Sequence, residues 1–72
     1  MEKSKFFEEL KDALELDGIV NESTLLYLSS LATLSLIAFI DENFNKQIKA
    51  IDLKKVNSVA LLMELIGLEN FK

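Results

Sequence analysis

The side chains with the clearest chemical potential are two adjacent hydroxyls, Ser29 and Ser30, directly before an apolar run. A serine at the start of a helix accepts hydrogen bonds from the first backbone N–H groups, which have no partner inside the helix. The same position lies at the positive end of the helix dipole, so it also favours a phosphate. The pattern alone leaves two interpretations open: a cap with no other role, or an attachment point for a phosphate-bearing group.

Several reactive residue types are missing from the chain. Its 72 residues include no cysteine, histidine, tryptophan or proline, and all eight basic residues are lysine. Without histidine and cysteine there is no Ser–His or Cys–His nucleophile pair and no thiolate metal site. We therefore predict a protein that is not an enzyme and holds no metal ion.

The charge balance argues against nucleic acid as a partner. Twelve acids and eight lysines give a net charge of −4, and arginine, which reads base edges with two hydrogen bonds, is absent. The charges are unevenly spread, because seven of the acids fall within residues 1–22 and none within residues 23–40. The chain is predicted to bind no nucleic acid.

The uncharged run from Ser23 to Ile40 is just long enough to raise the question of a membrane span. It contains seven hydroxyl-bearing residues and is bordered by acids at both ends, with no lysine bias to orient it. The N-terminal residues alternate charged and apolar side chains, unlike a signal peptide. We expect no membrane span and a cytoplasmic location.

The elements that must position the serines are predicted to be four helices within one domain, residues 1–72. Apolar spacing predicts helices over Glu2–Leu16 and Ser30–Phe44, a short one over Leu53–Val56 capped by Asp52, and a fourth that begins after Asn57 or Ser58 and ends at Gly67. Gly18 is predicted to provide a left-handed cap for the first helix. The tail, residues 68–72, is predicted to be mobile, although Phe71 has the type to pack back.

The segment from Ile19 to Leu28 is predicted to be a long loop between the first two helices. It carries six large apolar residues around the turn-forming sequence at residues 21–24. We expect so apolar a loop to lie against the helices and help to close the core.

The stretch from Ser30 to Ile66 resembles acyl carrier proteins, and the helix spacing matches that family over nearly the whole chain. The matching residues of the second helix and its exit are Ser30-Leu31, the apolar positions Leu34, Leu36, Ile37 and Ile40, then Asp41-Glu42-Asn43-Phe44 and Ile48. The family motif is Asp-Ser-Leu, and this chain has Ser29 where the family has aspartate. The resemblance implies an all-α fold, a small four-helix bundle of the acyl-carrier type with three longer helices and one short helix.

The resemblance also implies a cofactor and its attachment site. Carriers of this family hold an acyl group as a thioester on a 4'-phosphopantetheine arm, which derives from coenzyme A and is esterified to the motif serine. That serine corresponds to Ser30, and Ser29 is the weaker candidate because it is one residue out of register with Leu31. Serine at position 29 keeps the capping oxygen but removes the charge that, in the family, helps the transferase to engage its substrate.

The implied partners are a phosphopantetheinyl transferase and the enzymes that load and accept the acyl group. The predicted partner-binding residues are Leu31, Leu34, Ala38, Asp41 and Glu42. Carriers usually present more acids on this face, so a specialised carrier, expected to be monomeric, is predicted rather than the general carrier of fatty acid biosynthesis. Two alternatives remain: a helical interaction module that binds a partner through the apolar face of the second helix, and an unmodified, carrier-like regulatory subunit.

Overall fold

Four α-helices organise residues 1–71, which are the residues that the computed structural model describes. They span Lys3–Leu14 (α1), Ser30–Phe44 (α2), Ala50–Leu53 (α3) and Val59–Ile66 (α4), and a 3₁₀ turn over Leu68–Asn70 follows. Residues 1–71 contain no β-strand, only an isolated bridge between Leu25 and Ser58. The predicted all-α class, with three longer helices and one short helix, is confirmed.

Helix α1 ends two residues before the predicted end at Leu16. Glu15 adopts the left-handed conformation, with φ of 53°, and the N–H of Leu16 donates to the carbonyl of Lys11 at 2.9 Å. This backward bond is the Schellman pattern that satisfies carbonyls at a helix end. The predicted role of Gly18 as the cap is therefore wrong, because the chain turns at Glu15 before it reaches the glycine.

The core forms where the helices meet, and no polar or charged residue is buried among residues 1–71. Helix α4 buries one face, and helices α1 and α2 contribute further large side chains. The fully buried residues of the three longer helices are Phe6, Leu10, Leu36, Ile40, Val59, Leu62, Met63 and Ile66. Removal of these apolar side chains from water is the main favourable contribution to folding.

The connection between α1 and α2 lies against the N-terminal end of α4. The N–H groups of Val59 and Ala60 donate to the carbonyls of Thr24 and Glu22, both at 3.0 Å. The prediction that this loop helps to close the core is confirmed in part. Val20 and Leu26 are buried, but Ile19, Leu25 and Tyr27 are exposed.

Helix α3 begins and ends three residues before the predicted range of 53–56. Asp52 does not precede the helix. It is the third residue of α3, and its carboxylate accepts a long bond from the N–H of Lys49 at 3.4 Å. Leu53, the last residue of α3, and Val56 beyond it are both buried.

The C-terminal tail forms a 3₁₀ turn over Leu68–Asn70, and Phe71 packs back against the bundle, as its residue type suggests. The mobility of residues 68–70 stays a prediction. Phe71 is buried, with its ring centroid 4.8 Å from that of Phe6 and 5.4 Å from that of Phe44. Edge and tilted contacts of this kind add to the gain from burying the rings. Lys72, the last residue of the predicted tail, lies outside the described residues.

None of the helices within residues 1–71 is both long and apolar enough to cross a membrane. Helix α2, which contains most of the uncharged run, has 15 residues. About 20 apolar residues are needed for a helix to cross the hydrocarbon core.

Candidate functional site

Ser29 determines where α2 begins. Its backbone is extended, and its Oγ accepts a hydrogen bond from the N–H of Ala32 at 3.1 Å. Its carbonyl accepts from the N–H of Thr33 at 2.9 Å and from the hydroxyl of the same residue at 2.8 Å. Ser29 is therefore the N-cap, and Ser30 is the first helical residue, as the pattern predicts.

Ser30 is exposed, and its hydroxyl lies beside unpaired backbone donors. The N–H groups of Ser30 and Leu31 have no hydrogen-bond acceptor within residues 1–71. Such groups carry the partial positive charge of the helix end. A phosphate esterified to the Ser30 hydroxyl would meet two free donors and a favourable dipole.

The other serine is already engaged. The Ser29 oxygen bonds to Ala32, so its use in an ester would disturb the cap that begins the helix. Both side chains are exposed, but only the Ser30 hydroxyl has no hydrogen bond within residues 1–71. Local geometry thus favours Ser30 over Ser29 as an attachment point.

An open depression of about 320 Å³ adjoins Ser30 on the side of α3. Its lining consists of Leu28, Ser30, Thr33, Leu34, Ala50 and Lys54. A second depression of about 490 Å³ continues along α2, with Leu34 as a shared wall, and is lined further by Ile37, Ala38, Asp41, Gln47, Ile48 and Lys49. We call this pair of adjoining depressions the α2–α3 groove.

A third depression, of about 280 Å³, lies on the opposite side of the α2 start, against the end of α1. Ser29, Leu31, Ala32 and Ser35 line it from α2. Depressions thus border the beginning of α2 on two sides, and Ser30 opens only into the α2–α3 groove.

The structure brings three of the predicted partner-binding residues together, because Leu34, Ala38 and Asp41 line the second depression, while Leu31 lines the third. Leu31 and Leu34 are 75% and 63% exposed, and Ala38 is exposed one turn farther along. Asp41 and Glu42 are exposed near the other end of α2, about 16 Å from Ser30 at the helical rise of ~1.5 Å per residue. Only the two leucines are close to the serine.

One residue beside Ser30 is missing from the predicted site. Lys54 lines the same depression as Ser30 and follows α3 directly. The predicted third helix, Leu53–Val56, includes Lys54, so that prediction does not place this lysine beside Ser30. The four lysines of residues 46–55 are the only signal in the sequence for a positive charge in this region.

No cluster of acidic, histidine or cysteine side chains that could hold a metal ion occurs within residues 1–71. The only salt bridge in this range joins Lys3 to Glu22 at 3.3 Å, away from the start of α2. The site therefore consists of one hydroxyl, two free N–H groups, apolar walls and nearby lysines. Such a set can hold a group in place, and the lining of the depression beside Ser30 includes no carboxylate or histidine that could take the hydroxyl proton.

Comparison with known proteins identifies no relative. No protein-family model, no curated protein and no solved structure matches the chain.

Proposed function

We propose that this protein is a carrier that holds an acyl or related group as a thioester on a 4'-phosphopantetheine arm attached to Ser30. The observation that carries the proposal is the geometry of that serine. Its hydroxyl is exposed at the first position of a 15-residue helix, beside two N–H groups without an acceptor within residues 1–71. The resemblance of residues 30–66 to acyl carrier proteins supplies the identity of the group.

The attachment step needs a base, which we assign to the modifying enzyme. The Ser30 oxygen would attack the phosphorus that bears the pantetheine in coenzyme A, adenosine 3',5'-bisphosphate would leave, and a base of the phosphopantetheinyl transferase would take the hydroxyl proton. The phosphodiester would then lie at the positive end of α2. The protein itself would catalyse nothing, and acyl-loading and acyl-accepting enzymes would act on the thiol of the arm.

We infer a specialised carrier rather than a general fatty-acid carrier, and one that is monomeric and cytoplasmic. The charges on the surface of α2 support the specialised role. Asp41 and Glu42 are the only acids of α2, and both lie about three turns from Ser30. Steering toward basic enzymes depends on the charges presented near the reacting group, so it would be weak here. A transfer assay with the standard fatty-acid enzymes tests this part, and efficient service to them would contradict it.

The central test is intact-mass spectrometry after co-expression with a broad-specificity phosphopantetheinyl transferase. We expect the chain to gain the mass of one phosphopantetheine group and Ser30→Ala to gain none. Ser29→Ala is the matched control, because it removes the neighbouring hydroxyl and should still be modified. An unmodified wild-type chain, or a mass gain that depends on Ser29, would overturn the proposal.

The exposed apolar face of α2 favours a second candidate, an unmodified interaction module. Leu31 and Leu34 are largely exposed, which is costly unless a partner covers them. An unchanged mass after co-expression, together with loss of a partner on Leu34→Ala, would support the module. A protein–nucleic acid function has no such support, given the net charge of −4.

A further inference from the structure

The segment that forms one wall of the α2–α3 groove is basic in an otherwise acidic chain. Residues 45–58 contain four lysines and one aspartate, so they carry +3 while the whole chain carries −4. The remaining residues are therefore strongly acidic. A charge distribution of this kind attracts negatively charged groups to one side of the molecule.

Two of the four lysines face the groove. Lys54 lines the depression beside Ser30, and Lys49 lines the adjoining depression. Neither forms a salt bridge within residues 1–71. A third lysine, Lys46, is occupied, because its ammonium donates to the carbonyl of Ile66 at 2.7 Å.

Apolar side chains form much of the groove lining, together with Ser30, Thr33, Asp41 and Gln47. Leu34 is the wall common to both depressions, and Ile51 of α3 is 63% exposed in the same segment as the lysines. An apolar patch with unpaired positive charges at its edge has the composition of a protein-binding surface with a polar rim.

We propose that the α2–α3 groove binds an amphipathic helix of a partner protein, with apolar side chains at its centre and acidic side chains at its edges. The apolar side chains would enter the two depressions, and the acids would meet Lys49 and Lys54. The proposal rests on the proposed function in one respect, namely that the partner is an enzyme acting on the arm at Ser30. The groove and its charges do not require that Ser30 be modified.

Charge also sets the direction in which the partner helix lies. Asp41 and Lys49 both line the far depression, so their charges offset each other there, whereas Lys54 is the only charged residue that lines the depression beside Ser30. An acid of the partner is therefore attracted most strongly near Lys54. A second copy of this chain is a poorer occupant, because a symmetric dimer through this face would bring lysines against lysines. A lipid surface is poorer too, since a flat array of head groups does not fill a concave groove.

The test uses a designed helical peptide of about four turns, with leucines along one face and glutamates beside them, and a matched peptide with lysines in place of the glutamates. Amide chemical shifts of the ¹⁵N-labelled full chain are followed during titration with each. We expect the glutamate peptide to bind, to move the signals of Leu34, Lys49 and Lys54, and to weaken with added salt. The lysine peptide should bind at least about tenfold more weakly.

Charge reversal at the groove is the decisive variant. Lys49→Glu combined with Lys54→Glu should reverse the preference between the two peptides. Lys5→Glu combined with Lys11→Glu changes the net charge equally, at exposed residues of α1 away from the groove, and should leave the preference unchanged. Circular dichroism checks that both double variants remain folded.

Three results would overturn the inference: equal affinity for both peptides, no binding of either, or an equal effect of the two double variants. Self-association through the groove, detected by sedimentation and removed by the groove variant, would identify a second copy as the occupant and would also overturn it. Stronger binding to anionic vesicles than to the glutamate peptide would do the same. Failure of the proposed function is detected separately, by intact mass.

Discussion

Helices α2 and α4 begin with the same local device, but only α2 begins in the open. In both, a serine oxygen caps the helix: Ser29 accepts from Ala32 at 3.1 Å, and Ser58 accepts from Leu61 at 3.3 Å. At α4 the next two N–H groups bond to carbonyls of the distant loop between α1 and α2, at Thr24 and Glu22. At α2 the corresponding N–H groups of Ser30 and Leu31 have no acceptor within residues 1–71.

The side chains at the first helical position follow the same contrast. Val59 is fully buried, whereas Ser30 is exposed. The same type of cap thus begins both helices, but the loop covers the start of α4, whereas the start of α2 is free to bind a ligand. The difference comes from the loop at residues 22–24, which covers α4 and leaves α2 open. An open helix start with an exposed hydroxyl can bind a negatively charged group such as a phosphate.

The largest effect is expected from exchanging the residue types at these two positions. Val59→Ser removes buried methyl groups and places a hydroxyl in an apolar site, so it should lower the free energy of unfolding by about 3 kcal/mol. Ser30→Val should change it by no more than about 0.5 kcal/mol, since the side chain remains at the surface. Urea unfolding followed by circular dichroism measures both.

The pair contains its own control, because each variant introduces the residue type that the other removes. Similar losses from both would mean that Ser30 is packed as tightly as Val59. That result would remove the distinction between a covered and an open helix start.

A somewhat smaller effect is expected in amide hydrogen exchange. The N–H groups of Val59 and Ala60 are bonded to the loop, so they should exchange about a hundredfold more slowly than those of Ser30 and Leu31. Heteronuclear NMR after transfer to deuterated water measures the four rates. Equal protection at the two helix starts would contradict the unpaired state of the α2 donors.

Much of this contrast can be predicted from the residues themselves. Serine before an apolar run predicts the cap of α2, and the three- and four-residue spacing predicts α2 from Ser30 to Phe44, as observed. At α4 the residues leave Asn57 and Ser58 open as caps, and the structure uses Ser58. The resemblance to carriers, rather than the spacing, predicts Leu31 and Leu34 on the outer side, and the structure exposes both. Local rules succeed here because α2 is long and its cap is formed by neighbouring residues.

The parts that could not be predicted depend on contacts between distant residues. Which helix start the loop covers is decided by bonds from Val59 and Ala60 to residues more than thirty positions earlier. Helix α3 has only four residues, so it shows no periodicity that would set its bounds, and the position of Lys54 beside Ser30 was missed with it. Phe71 packs on Phe6, a contact that no local pattern indicates.

The smallest effect is expected from adding one negative charge at each cap, which tests whether the covering loop changes the electrostatics of a helix start. Ser29→Asp keeps the capping oxygen and adds a carboxylate beside the unpaired donors of α2, so it should raise the free energy of unfolding by about 0.3 to 1 kcal/mol. It also restores the aspartate of the carrier motif, so attachment of phosphopantetheine at Ser30 should become faster. Urea unfolding gives the first quantity, and the rate of mass gain with a fixed amount of transferase gives the second.

Ser58→Asp is the matched control, because the donors behind that cap are already bonded to the loop. The half-buried position also costs the new carboxylate part of its hydration, so the gain in stability should be smaller than at Ser29. The loading rate should not change, since Ser58 lies at the start of a different helix. An equal gain at both caps would show that the covering loop does not matter to the electrostatics. Unchanged loading of the Ser29→Asp chain would show that the missing aspartate does not limit modification.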